Sequence, residues 1–248
     1  MNFALRAASI ALLLAAWFAG SHALGARLLP DPQTVGLAIV HEARSGALAF
    51  NLGVTLARVA ASFAIAMTLG TVLGFAMGRF PFFDQLADSW LVVLLNLPAL
   101  VIIVLAYVWA GLTETAAIAA VALNKLPIAT VTVREGARAL DRMLDEMATV
   151  FRMGTWVRLR HVVLPQLAPY VAAAARAGLS LVWKIVLIVE LLGRPNGVGF
   201  EIGVAFQLFD VTRILAYALV FIVVMLAVET FLVQPLERHA SRWRARPA

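Results

Sequence analysis

Cysteine is absent from all 248 residues, which excludes a disulfide framework, a thiolate nucleophile and a cysteine metal site. Charge is scarce too. Asp, Glu, Lys and Arg make up 14% of the chain, where soluble domains carry about 25%. The four histidines, His22, His41, His161 and His239, fall at or beyond the edges of apolar runs. Neither His-Glu-x-x-His nor Gly-x-Ser-x-Gly occurs, so an intramembrane hydrolase would lack both metal ligands and an activated nucleophile. No Gly-x-x-x-x-Gly-Lys-Ser/Thr phosphate loop is present, and no internal repeat of the kind that builds many ion-coupled carriers is detectable.

What the chain does hold is apolar surface: 62% hydrophobic residues and a mean hydropathy of +0.91. This is the composition of an all-helical integral membrane protein. Six apolar runs are legible, near 5–24, 54–77, 90–111, 115–133, 170–192 and 214–232, most of them long enough for about 30 Å of hydrocarbon. The first could be a cleaved signal peptide, with Arg6 before it and small residues after. More membrane follows it, which favours an uncleaved span. Residues 1–27 therefore read as a first transmembrane helix, 28–240 as a membrane domain with a polar insert at 134–165, and 241–248 as a basic tail. Arg58 near the start of the second run is placed to snorkel to the headgroups, and Gly70, Gly74 and Gly78 form a small-residue face for close helix packing. Trp17, Trp90, Trp109, Trp183 and Trp243 are expected near span ends.

The net charge of +6 sits beside hydrophobic segments and writes topology rather than a nucleic-acid patch. With the amino terminus inside, the inner segments hold Arg6, Arg79, Arg134, Arg138, Arg142, Arg152, Arg158, Arg160 and the tail residues Arg238, Arg242, Arg244 and Arg246. The outer segments hold Arg27, Arg44, Arg194 and Arg213. That asymmetry places the insert and both termini in the cytoplasm.

Within the insert, Met143, Met147, Val150 and Phe151 recur at helical spacing, with Asp141, Asp145 and Glu146 off the stripe. Gly154 breaks the pattern, Thr155 can cap a second short helix carrying Trp156, Leu159 and Val163, and Pro165 and Pro169 are expected to end it. Periodicity leaves two readings open. The pair of helices could fill a groove on a soluble partner, or lie as an amphipathic hairpin on the bundle or headgroups.

Glu146, Ala148, Val162, Leu164 and Pro165 stand at the spacing of the Glu-Ala-Ala loop of bacterial ABC-importer permeases, which this segment resembles. Met147 departs from the pattern, and Arg152 occupies its glycine place, with Gly154 two residues later. Thr55-Leu56-Ala57-Arg58, Pro98, Pro127, Trp183 with Glu190, and Gly197-Val198-Gly199 are similar to the sulfonate, taurine and nitrate branch. The resemblance implies a MetI-like bundle of six helices in the bacterial inner membrane. It further implies a homodimer, a cytoplasmic ABC ATPase dimer gripping the loop at Glu146 and its neighbours, and a periplasmic or lipid-anchored binding protein delivering substrate. No cofactor is expected in this chain, ATP and magnesium belonging to the ATPase. The substrate class implied is an aliphatic sulfonate or taurine, with nitrate or a vitamin or pyrimidine precursor as alternatives. An ion-coupled secondary transporter is the rival from another class, separable by whether a gradient alone drives uptake.

Ionisable or amide side chains inside the apolar runs are expensive and become pathway candidates: Arg176, Lys184 and Glu190 on the fifth run, Lys125 before Pro127, and Asn96 before Pro98. Lys184 lies roughly 21 Å from Tyr170 at about 1.5 Å per residue, in the outer half of the bilayer, where its charge would suit an anion. A structural ion pair with Glu190 or Glu201 is the other use, and backbone kinks are the other use of the two prolines.

Overall fold

A computed structural model describes residues 3–25 and 27–235, and every element among them is helical. The basic tail with Trp243, together with Arg238 and His239, lies outside the described residues, as does the side chain of Arg6. The helices are α1 (Phe3–Leu24), α2 (Pro32–Arg44), α3 (Ala47–Arg79), α4 (Pro81–Asn96), α5 (Ala99–Ala110), α6 (Glu114–Arg138), α7 (Arg142–Val150), α8 (Thr155–Arg158), α9 (Leu164–Gly193), α10 (Val198–Gln207) and α11 (Val211–Val228). Two π turns, Leu159–Val163 and Glu229–Val233, precede α9 and follow α11.

Among the described residues, four helices are long and apolar enough to span a membrane: Ala47–Arg79, Glu114–Arg138, Thr155–Gly193 and Val211–Val233. The third expected span is not one rod. Pro98 has no N–H and forces Leu97 out of the helical region (φ −72°, ψ 124°), so α4 and α5 meet at a 99° bend. At the break Asn96 turns back on its own helix, its Nδ2 donating to the Val92 carbonyl at 2.8 Å. Pro127, by contrast, sits inside α6 without interrupting it. Against the six expected spans, the described residues hold four such helices, or five if the bent pair is one span, and the stretch Ala8–Leu24 of α1 is a shorter apolar helix.

The chain groups into two compact units, Met1–Leu56 with Glu190–Leu226, and Ala57–Val189 with Ala227–Ala248, whose limits fall inside α3, α9 and α11. In the second unit α6 is the central element: 56% of its apolar window is buried, against 22–33% for the other long helices. Its Ala117, Ala120 and Val121 pack with Val59 of α3, Ile102 and Ile103 of α5, and Val182 and Val186 of α9. About two turns further along, Ala129, Val133 and Ala137 meet Met67 and Ala174. Small residues make this possible. A Cβ added at Gly70 would press on Ala129, at Gly74 on the Thr130 carbonyl, and at Gly78 on Ala137, so α3 and α6 approach along the predicted glycine face.

Several local expectations are corrected. Arg58 does not snorkel: it is 3% exposed and grips Glu114, the first residue of α6, through Nε at 2.5 Å and Nη2 at 3.1 Å. α6 runs on into the polar insert: Arg134 and Arg138 lie in its last turns and pair with Asp84 and Asp88 of α4. Pro165 and Pro169 do not end the second loop helix. A proline has no N–H to give the ladder, and α8 passes through the π turn into α9 as one continuous helix, Thr155–Gly193. Trp183 is half-buried against the core cluster around Val182 instead of anchoring at a span end.

Candidate functional site

The loop helix α7 is nine residues long, too short to persist alone in water, where about 12–15 residues are marginal. Local bonds fix both ends. At its start, the Asp141 carboxylate accepts from the Met143 N–H at 2.8 Å, and the Asp141 N–H donates to Gln166 Oε1 of α9 at 2.8 Å. At its end, the Arg152 N–H donates to the Thr149 carbonyl at 3.0 Å and the Met153 N–H to the Ala148 carbonyl at 2.9 Å. That bond pair is a Schellman cap, whose C′ residue adopts the left-handed conformation. Arg152 has φ +48°. The residue in the glycine place of the loop pattern is therefore the one position here where glycine would relieve backbone strain. Arg152→Gly is expected to stabilise the loop by about 1 kcal/mol, read as slower hydrogen exchange across α7. Gly154, not Thr155, stands at the cap of α8, and no side chain caps it.

Ala148 is 1% exposed and seats the helix on the body. The opposite face is open: Met143 is 75% exposed, Val150 79%, Phe151 70% and, across the turn, Trp156 68%, with Met147 and Leu164 also exposed. The stripe does not fold back onto the chain's own helices. Glu146 is exposed and pairs with Arg142 one turn earlier at 2.9 Å. Asp145 alone among the described carboxylates of α7 reaches other elements, accepting from Arg158 Nε at 2.8 Å and Arg79 Nη2 at 3.1 Å. The Arg158 guanidinium, with Arg79 behind it, holds the Asp145 carboxyl below the usual carboxylate range. Thus Glu146, Met147, Ala148, Arg152, Gly154, Leu164 and Pro165 lie on α7, the turn after it and the first turns of the long helix Thr155–Gly193, with Ala148 and Val162 turned inward.

The intramembrane candidates do not form one site. Lys125 is 1% exposed and donates to the Ala174 carbonyl at 3.1 Å, in space left by Gly178, where a Cβ would overlap its side chain. Arg176 faces Glu229 at 3.6 Å. Asn96 serves its own helix. Lys184 is exposed on α9, and among the described residues it makes no ion pair.

Glu190 belongs to the first unit and organises it. Fully buried, its Oε2 accepts from Thr55 Oγ1 and from the Gly199 N–H, both at 2.9 Å. Thr55 Oγ1 in turn accepts from the Val198 N–H at 2.9 Å, and Asn51 Oδ1 from the Gly197 N–H at 2.7 Å. Three successive backbone N–H groups of the glycine-rich turn are thereby held. Gly197 has φ +108°, and a Cβ there would overlap the Glu190 carboxylate. Asn51 also donates to Glu201 at 3.0 Å, and Glu201 pairs with Arg213 at 2.8 Å. Sequence reasoning singled out Thr55, Glu190 and the glycines separately and missed Asn51. The available signal was two polar residues four apart on one face of α3.

The pattern of the binding-protein-dependent transport system inner membrane component matches residues 66–242. An aliphatic sulfonates transport permease of Bacillus subtilis is 28% identical over 94% of this chain and 85% of its own. The taurine transport system permease of Escherichia coli is 24% identical over 95% and 88%. The riboflavin transport system permease of Chloroflexus aurantiacus is 30% identical over 96% and 89%. The crystal structure of an amino acid ABC transporter superposes with a TM-score of 0.65 at 20% identity, over 82% of this chain and 97% of that one, a likeness of fold. The apolar helices, the loop motif and the family match agree: the chain belongs to the binding-protein-dependent transport system inner membrane components, as the permease subunit of an ABC importer whose ATP hydrolysis is carried by a separate subunit.

Proposed function

We propose that this permease imports a small organic anion of the aliphatic sulfonate or taurine type, and that the α7–α8 loop is the cytoplasmic docking point for its ATPase. The exposed stripe of Met143, Val150, Phe151 and Trp156 on a capped helix carries the second part. Apolar knobs of this exposure fit a groove on a soluble partner, while Glu146 and Arg142 at the rim supply charges for register. The arginine asymmetry supports an orientation with this loop and both termini inside. Two copies would line the pathway between them, a periplasmic or lipid-anchored binding protein would deliver the solute, and ATP with magnesium would reside on the ATPase.

The sulfonate and taurine relatives support the substrate class, and Lys184 offers an exposed cation to an anionic solute. The riboflavin relative supports a second reading, an uncharged or weakly anionic vitamin. Growth of a deletion strain separates them. Failure on taurine and alkanesulfonates as sole sulfur source, rescued by wild type, is the expected result. Normal growth there, with failure of a riboflavin auxotroph on limiting vitamin, would favour the second. Glu146→Lys is expected to insert normally yet fail to rescue and to lose the co-purifying ATPase, and unchanged co-purification would sink the docking assignment.

A further inference from the structure

The exposed pairing of Arg142 with Glu146 stays within α7 and transmits nothing to the rest of the chain. Asp145, on the side away from the apolar stripe, is different. Its side chain is 24% exposed, and its two oxygens are divided: Oδ1 toward Arg158, Oδ2 toward Arg79. Arg79 is the last residue of α3, a helix of 33 residues. Arg158 is the last residue of α8, directly before the π turn that leads into α9. One carboxylate therefore links a nine-residue surface helix to the ends of two membrane helices. Bonds between ionised partners are stronger and more directional than neutral ones.

We propose that Asp145 is the positioning residue that fastens α7 to α3 and to the α8–α9 helix, so that a displacement of the loop is delivered to both as one rigid movement. This rests on the docking role of the loop, but Asp145 lies off the docking stripe and acts through Arg79 and Arg158. An amide in its place keeps the shape yet removes one negative charge, leaving two guanidinium groups facing a neutral side chain. Without the carboxylate, α7 keeps its N-cap and its Schellman cap and remains a helix, but its attachment becomes loose.

The chain has no native cysteine, so spin labels at Val72→Cys on α3 and Val150→Cys on the stripe of α7 report their separation without background. Both positions are exposed. In the full-length permease in lipid nanodiscs, without any partner, the distance distribution is expected to be narrow for the wild-type background and about twofold broader for Asp145→Asn. Arg79→Gln should broaden it similarly, and Asp145→Glu should restore most of the narrowness. Unlabelled Asp145→Asn is expected to keep its co-purifying ATPase. A distribution as narrow as the parent in both Asp145→Asn and Arg79→Gln would overturn the proposal, and so would loss of the ATPase without broadening, which would make Asp145 a docking contact. Because the distances are read on the permease alone, an ATPase that stays bound to Glu146→Lys would remove the docking reading and leave this result standing.

Discussion

Replacing Gly74 by leucine is expected to abolish accumulation of folded permease, measured as loss of the monodisperse detergent-solubilised species. The argument needs only the first added atom. A Cβ at Gly74 would sit 2.5 Å from the Thr130 carbonyl oxygen, 2.9 Å from the Val133 Cβ and 3.0 Å from the Arg134 backbone nitrogen. Two of those three atoms are backbone of the central helix α6, so no rotamer change clears them. In a bilayer, lipid tails are as apolar as leucine, and helices associate through close van der Waals contact instead of through escape from water. Forcing α3 off α6 removes that contact over several turns, because Gly70 and Gly78 lie on the same face and are equally close. Gly53, on the same helix, has nothing within 4 Å of its added Cβ. Gly53→Ala is accordingly expected to accumulate at least as well as the parent, since alanine is the better helix former by about 1 kcal/mol. Equal loss in both variants would show that α3 is sensitive throughout and that the glycine face is not the cause.

Removing the Glu190 side chain is the second large effect. Glu190→Ala strands the Thr55 hydroxyl and the Gly199 N–H in a fully buried position and leaves a cavity. Each orphaned donor costs about 1–3 kcal/mol, and a total of about 3–5 kcal/mol puts the change among the most damaging single substitutions. The expected observation is a marked fall in the thermal midpoint of the solubilised permease. Glu190→Gln should be milder than Glu190→Ala, because the amide carbonyl can take the place of Oε2, the oxygen that accepts from Thr55 and Gly199. A glutamine variant as unstable as alanine would mean that the charge, not the acceptor, holds the turn. Gly197→Ala should resemble Glu190→Ala, as its φ of +108° and the overlap with the carboxylate act together.

The glycine face of α3 and the Glu190 network differ in how far residue order reveals them. Apolar run length marked α3, α6, α9 and α11 because the bilayer imposes one dimension on any helix that crosses it. The glycines at 70, 74 and 78 announced a packing face because a four-residue spacing stacks on one side of a helix. The stripe of Met143, Met147 and Val150, and the Glu146 to Pro165 pattern, were visible for the same reason. A run of apolar residues, however, does not reveal where its axis bends. Asn96-Leu97-Pro98 could have kinked a span or broken it, and Pro127 in the same kind of context left α6 whole.

Charged side chains were the least legible, since their partners lie far away in the chain. Arg58 near a span end looked like a headgroup anchor, and it is buried on Glu114, 56 residues later. Asp145 was only a residue off the stripe until Arg79 and Arg158 arrived from two other helices. Glu190 was an intramembrane charge of open purpose, whereas its neighbours make it the keystone of a turn. Composition, span positions, the loop motif and the family resemblance were all contained in the order of residues, because each depends on spacing along one helix or on hydropathy alone. The bend at Pro98, the left-handed Arg152 in a glycine place, and the partner of every buried charge were decided by tertiary structure, because they depend on which backbone and side-chain groups distant segments bring within hydrogen-bonding reach.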